Sequence, residues 1–274
     1  STFTSRNAPV QIPSYTSWSR LSAGNSFALA LGSDGSMWSW GANSSGQLGD
    51  GSILSRSIPA RIGVDRVWSS ISAGNTFALA LANDGSLWSW GSNTNGQLGR
   101  GFADIAARPN VPERVGTSTG WTSIAAGNTA SAAVRSDGSL WSWGGSINRQ
   151  LGRQQRLLLP VSATFGTVAE VASGSSHNLA VKPDGSLWSW GSNSNGRLGL
   201  GTSDFGDRRT PVRVGTASDW SRVAVGGNHS LALRTDGGLW AWGFGSSGQV
   251  GDGTTTTRTA PVRIDGTTTW RRVT

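Results

Sequence analysis

Asp34, Asp84, Asp137, Asp184 and Asp236 each open the same words in this chain: Asp-Gly, then two tryptophans one residue apart, then glycine. The steps between these aspartates are 50, 53, 47 and 52 residues. Self-similarity at such a period is the signature of a propeller, a solenoid or an array, and it restricts the fold class before any single residue is weighed.

One period reads as four short strands. The first begins at a tryptophan, as in Trp68-Ser69-Ser70-Ile71, and ends at the small-residue step Ala73-Gly74. The second, Phe77-Ala78-Leu79-Ala80-Leu81, alternates large and small apolar side chains. Asn83-Asp84-Gly85-Ser86 between two apolar runs is a strong hairpin signal. The third strand, Leu87-Trp88-Ser89-Trp90, puts both rings on one face because strand side chains alternate. Ser89 points the other way, where a small group lets a neighbouring sheet approach. A glycine-rich loop leads to a proline-led strand such as Pro211-Val212-Arg213-Val214, and an edge or a strand start is where proline is tolerated. Four strands in about 50 residues, with no helical periodicity, predict a propeller blade.

All 15 tryptophans fall in repeat positions. Ten form the pairs Trp38/Trp40, Trp88/Trp90, Trp141/Trp143, Trp188/Trp190 and Trp240/Trp242. Trp18, Trp68, Trp121, Trp220 and Trp270 open first strands, with Val168 in that slot of the fourth repeat. Burying one such ring removes about 150–250 Å² from water, roughly 4–6 kcal/mol gross at ~25 cal/mol/Å². These rings are therefore expected in the packing between blades and not at a ligand.

Gly226-Gly227-Asn228-His229-Ser230-Leu231-Ala232-Leu233, Asp236-Gly237, Leu239-Trp240-Ala241-Trp242-Gly243 and Ser247-Gly248-Gln249-Val250-Gly251-Asp252-Gly253 together resemble the regulator of chromosome condensation repeat. Gly46-Gln47-Leu48-Gly49-Asp50-Gly51 repeats the last phrase, and the resemblance runs through the whole chain in five copies. It implies an all-β propeller of five to seven blades. We divide the chain as one domain, residues 1–274, into repeats 18–67, 68–120, 121–167, 168–219 and 220–269, with partial repeats 1–17 and 270–274. The proline-led strand occurs six times and the opening-strand slot six times, but the central strand pair only five. Joining the ends leaves a sixth blade without its middle strands. A segment of a larger six- or seven-bladed ring is the favoured reading, since half a blade exposes strand edges. Closure at five blades plus a partial one, or strands supplied by a partner subunit, are the alternatives. Ser1 in place of Met points to a processed chain or a piece of a longer one.

Chemistry-bearing residues are sparse. With no cysteine and two histidines, no metal cluster and no cofactor are expected. His177 and His229 share a slot that Phe27, Phe77 and Ala130 fill elsewhere, so it is a packing position. Glu113 and Glu170 lie in different repeats, which leaves paired carboxylate chemistry without support, and an enzyme is not expected. No run of apolar residues is long enough for a membrane helix, and the N-terminus has no signal pattern. The net charge of +8, with 22 Arg against Lys182 alone, is compatible with nucleic acid or an acidic partner. Function is expected where loops depart from the repeat. Arg149, Arg153, Arg156 and Leu157 in the third repeat, and Phe205, Arg208 and Arg209 in the fourth, are the candidate partner-binding residues, with the second repeat's long segment, Arg100 to Pro112, a secondary candidate. The leading expectation is a non-enzymatic interaction or structural propeller binding a protein partner, within a larger surface or virion assembly. The resemblance also implies chromatin binding, guanine-nucleotide exchange or enzyme inhibition as alternatives. Spacings of 47 to 53 residues leave no room for the inserted element that exchange relies on.

Overall fold

Turn chemistry and alternation convert each repeat into one antiparallel sheet of four strands in sequence order. The computed structural model describes residues 8–9, 11–12, 16–103, 109–145, 151, 157–162, 165–201, 205–264, 266 and 269–273. Blade 1 is β1 (Trp18–Ala23), β2 (Phe27–Gly32), β3 (Met37–Gly41) and β4 (Arg56–Ile62). Blade 2 is β5 (Trp68–Ala73), β6 (Phe77–Ala82), β7 (Leu87–Gly91) and β8 (Glu113–Arg114). Blade 3 is β9 (Trp121–Ala126), β10 (Ala130–Arg135), β11 (Leu140–Gly144) and β12 (Leu157–Ser162). Blade 4 is β13 (Glu170–Ser173), β14 (His177–Val181), β15 (Leu187–Gly191) and β16 (Arg208–Arg213). Blade 5 is β17 (Trp220–Val225), β18 (His229–Arg234), β19 (Leu239–Gly243) and β20 (Arg258–Arg263). Successive first strands touch one another, β1 on β5, β5 on β9, β9 on β13 and β13 on β17, and so line the axis of a propeller. No helix in the described residues is long and apolar enough to cross a membrane.

Alternation gives each blade two different faces. The face toward the next blade carries the large side chains of the second strand, Phe27, Leu29 and Leu31 in blade 1. These close on Trp68, Ile71, Ala78, Ala80 and Trp90 of blade 2 in one buried cluster. The same arrangement joins blades 2 and 3, 3 and 4, and 4 and 5. Five blades thus share four apolar interfaces. The outward faces of blades 1 and 5 have no equivalent cluster among the described residues. Leu21 is 59% exposed where Ile71, in the same position, is 8% exposed; Trp18 is 37% exposed where Trp68 is 2%. Trp270 is exposed as well, and Trp38 and Trp40 are half-buried. Trp38 matches its half-buried equivalents Trp88, Trp141, Trp188 and Trp240, so the first ring of each pair is not a sealed core position. Trp18, Trp40 and Trp270 are more open than their equivalents because no preceding or following blade covers them among the described residues.

The proline leads the fourth strand only in blade 2, where Pro112 immediately precedes β8. Pro59, Pro160, Pro211 and Pro261 sit fourth in β4, β12, β16 and β20, not at their starts. The pairing with the third strand is irregular before each of these prolines, as between Ser189 and Gly191. These strands are the outer edge of every sheet, where a missing amide donor costs no ladder bond.

The two tryptophans of each pair do different work. Trp90 Nε1 donates to the Gln47 carbonyl of the preceding blade at 2.9 Å, and Trp143 and Trp242 do the same to Gln97 and Arg197. Trp88 stays within its own blade. Its Nε1 donates to Ser86 Oγ at 2.8 Å, and that hydroxyl donates in turn to Asp84 Oδ1. The relay recurs from Trp38, Trp141 and Trp188 through Ser36, Ser139 and Ser186. The ring also meets the opening tryptophan edge to face, with Trp68 and Trp88 centroids 5.9 Å apart. Ser89 does more than make room: its Oγ donates to the Leu98 carbonyl at 2.9 Å and ties the strand to its own loop.

The fourth repeat has no tryptophan in the opening slot to meet its pair. Val168 brings no ring there, and Phe165 stands in for it, 5.1 Å from Trp188. Trp190, buried in the cluster joining blades 3 and 4, lies against the same phenyl ring at 6.1 Å. In blade 5 the opening tryptophan itself fills this role, with Trp220 6.5 Å from Trp242. Trp190 is thus a packing ring, as expected, but its aromatic neighbour comes from three residues ahead of the slot.

Blade 5 breaks the relay. Gly238 occupies the serine position, and Trp240 Nε1 is buried with no hydrogen-bond partner. The Gly238 amide already donates to Asp236 Oδ1 at 2.8 Å, as Ser86 does to Asp84 at 2.9 Å, so the backbone is in place. Gly238→Ser is expected to stabilise the protein by about 1 kcal/mol, from the recovered hydrogen bond and a less flexible unfolded chain. Urea unfolding reads this as a raised midpoint with unchanged slope. A lowered midpoint would show that the hydroxyl does not reach the indole.

Candidate functional site

The topology sorts connections to two ends of the propeller. Asp-Gly hairpins and the links between blades lie at one end. Hairpins between first and second strands, and the long loops between third and fourth, lie at the other. The long loops are pinned at their base: Asn93 Oδ1 accepts from the Leu98 amide at 3.1 Å, and Asn43 and Asn193 hold Leu48 and Leu198 likewise. Their tips lie on the fourth strand or loop of the next blade. Gly51 N donates to the Asn110 carbonyl, Gly101 N to that of Leu158 and Gly201 N to that of Thr259. Among the described residues these contacts join the loops of blades 1, 2 and 4 to the blade that follows each, and the loops of this end make up a belt along the rim.

That belt carries large apolar side chains in water. Ile53, Leu54, Phe102, Val111 and Phe205 lie on these loops, Leu159 lies on β12 beside them, and all six are exposed, Leu54 by 74%. A Cβ at Gly51 would lie 3.9 Å from Val111, and one at Gly101 3.6 Å from Leu159, so Val111 and Leu159 lie beside the loop glycines of the preceding blades. Exposed apolar side chains gathered on one surface mark an interaction site.

The candidate residues divide accordingly. Phe205 is exposed on the belt, and Arg209 is exposed at the start of β16. Leu157 is half-buried against the interface of blades 2 and 3, so its neighbour Leu159 is the outward leucine. Arg208 Nη1 donates to the Gly206 carbonyl at 3.1 Å and shapes its own loop. Arg149, Arg153 and Arg156 lie outside the described residues. Phe102 and Val111 lie in the second repeat's long segment, a secondary candidate on sequence, whereas Ile53 and Leu54 interrupt no repeat word and give no such sign. Their apolar character inside otherwise polar loops was the available signal.

Part of the basic charge is spent locally. Arg135, Lys182 and Arg234, one repeat slot, lie over the aromatic pairs of their blades, and Arg66 lies 3.8 Å from the Trp88 ring centre. Arg56 pairs with Asp50 at 2.5 Å and Arg258 with Asp252 at 2.6 Å. Hydrogen bonds from Ser36, Ser86, Ser139 and Ser186 hold Asp34, Asp84, Asp137 and Asp184 below the usual carboxylate range. Among the described residues no three His, Asp or Glu side chains gather to hold a metal ion.

His177 is fully buried between blades 4 and 5, with Nε2 2.8 Å from Ser230 Oγ and Nδ1 without a partner. Burial, then the nearby Arg197 and His229 charges, push its pKa down from 6.5 to about 3. The unfolded chain therefore takes up a proton below about pH 6.5 that the folded protein refuses until about pH 3. The stability that neutral His177 confers is complete above pH 6.5 and falls with acidification, by at most about 1.4 kcal/mol per pH unit. Thermal melts of His177→Phe between pH 6.5 and 4 should lose much of that slope, since Phe27 and Phe77 show that the slot takes a phenyl ring. An unchanged slope would assign the acid sensitivity to other groups.

Compared with known proteins, residues 2–274 match the RCC1-like domain. The chain belongs to this family. The RCC1-like chain is 34% identical over 146 residues to the ultraviolet-B receptor UVR8 of Arabidopsis thaliana, covering 52% of this chain and 33% of that protein. It is 31% identical over 150 residues to the mitochondrial RCC1 domain-containing protein RUG3 of the same plant, covering 52% and 34%. The match thus spans about a third of the length of these relatives. Among solved structures, human WBSCR16 superposes with a TM-score of 0.80 at 26% identity, over 91% of this chain and 67% of that one. Prp20p of Saccharomyces cerevisiae, described with its binding properties to Gsp1p and histones, gives 0.65 at 23% identity, over 90% and 76%. The RCC1-like fold is thereby the observed propeller.

Proposed function

We propose that this RCC1-like chain is a non-catalytic interaction module that seats a protein partner on its loop belt. The exposed apolar series Ile53, Leu54, Phe102, Val111, Leu159 and Phe205 carries the reading. Aromatic anchors amid smaller contacts are the composition of protein interfaces. The yeast neighbour on the same fold, with its binding to Gsp1p and histones, is a precedent for protein partners. A non-catalytic role is supported by the sealed position of His177 and by Glu113 and Glu170, which lie in different blades and are each engaged by an arginine.

The test is affinity capture of a partner by the purified chain, followed by a binding titration against Phe102→Ser and Phe205→Ser. Loss of one anchor is expected to weaken binding about tenfold or more, roughly 1.4 kcal/mol upward, with unfolding midpoints held. Unchanged affinity in both variants would remove the belt from the interface. Binding to duplex DNA that collapses as salt rises would favour the nucleic-acid alternative.

A further inference from the structure

Counting two positions on from the opening residue of each first strand gives Arg20, Ser70, Ser123, Glu170 and Arg222, and Arg272 follows from Trp270. All six line the central channel, which encloses about 710 Å³. The ring lies at the Asp-Gly end, where the amides of Trp68, Trp121, Trp220 and Trp270 donate to hairpin carbonyls of the preceding blades. It is therefore at the opposite end from the loop belt and independent of it.

Three guanidiniums and one carboxylate share this mouth. Arg222 Nη1 donates to Glu170 Oε2 at 2.8 Å. Among the described residues Arg20 and Arg272 have no carboxylate within ion-pair distance, unlike Arg56, Arg100 and Arg258. Partial burial, then the like charges of Arg272 and Arg222, lower the Arg20 guanidinium from its ordinary value. The three guanidiniums are exposed at the mouth, so water and salt lessen their repulsion, but like charges gathered in a concavity still repel when nothing binds between them. An anion removes that repulsion.

We propose that this mouth binds a small phosphate-bearing anion carrying at least two negative charges. The ring's formal surplus of two positive charges matches a dianion. Donors placed around an axis suit a tetrahedral oxyanion, which accepts from several directions, better than a planar carboxylate. Ser70 and Ser123, whose hydroxyls make no hydrogen bond within the described residues, add neutral donors on the same ring. A channel of this size lies within the roughly 300–1,000 Å³ of small-molecule sites.

Calorimetric titration of the purified chain with inorganic tripolyphosphate at low salt tests the assignment. One anion per chain is expected. Arg20→Gln and Arg272→Gln should each weaken it about tenfold, and Arg209→Gln, on the belt, should leave it unchanged. Glu170→Gln should tighten binding severalfold, a gain that a misfolded variant does not produce. No heat at millimolar anion, several anions per chain, or equal weakening by Arg209→Gln would overturn the site. Duplex DNA binding more tightly than tripolyphosphate, and losing affinity in the same two variants, would overturn the small-anion assignment. Partner binding at the belt is measured separately, so failure of either reading is distinguishable from failure of the other.

Discussion

Trp90→Ala should destabilise the protein by about 3–5 kcal/mol, at the upper end for a buried aromatic. The ring is 0% exposed and lies in the cluster joining blades 1 and 2. Its removal opens a cavity and also orphans the Gln47 carbonyl that its Nε1 reaches, which adds roughly 1 kcal/mol. Trp88→Ala, two residues away on the same strand and face, should cost only about 2 kcal/mol. Its ring is half-buried, its hydrogen bond is to Ser86 in its own hairpin, and its neighbours Trp68 and Arg66 remain. Urea unfolding of the two variants side by side measures the difference. Equal losses would show that both rings hold the blades together, contrary to their different hydrogen-bond partners.

That division marks where the sequence stops being legible. The blade, its strands and the hairpin at Asp84-Gly85 follow from period, alternation and turn chemistry, which are local. Trp88 and Trp90 have the same residue type and the same face, and only the neighbouring blade decides that one is sealed and the other half-open. Phe165 as the aromatic neighbour of Trp188 and Trp190 is equally nonlocal: it lies three residues before the slot where Val168 stands. The ring of Arg20, Glu170, Arg222 and Arg272 was readable in principle, since all occupy one slot of the repeat. Net charge concealed it, because several other arginines, among them Arg56, Arg66, Arg135, Arg234 and Arg258, are spent on aromatic faces and local carboxylates. The apolar belt was harder still. Ile53 and Phe102 sit in loops of different length, and only the packing of each loop on the next blade shows that they share a rim.

Gly99→Ala tests the joint between blade and loop. Gly99 has φ of 71°, and a Cβ there would stand 2.7 Å from Trp143 Nε1 and 2.9 Å from its Cδ1. The substitution therefore meets two penalties, about 1–2 kcal/mol for a left-handed residue and about 1–3 kcal/mol for overpacking a core. Trp143 is fully buried and cannot retreat without losing its bond to the Gln97 carbonyl. A total near ~3 kcal/mol is expected from these two terms. Gly116→Ala separates them, because its φ of 62° is similar but nothing lies within 4 Å of the new Cβ; it should cost only the first, about 1 kcal/mol. If both variants lose the same stability, the indole is not seated on the glycine. The seat has a consequence for binding too. Gly99 lies three residues before Phe102, so pushing Trp143 away moves the segment that presents an apolar anchor. Gly99→Ala should therefore weaken partner binding at temperatures where the protein is still folded, whereas Gly116→Ala should not. Gly49, Gly99 and Gly199, each against the second indole of the next blade, thus link blade stacking to the geometry of the belt.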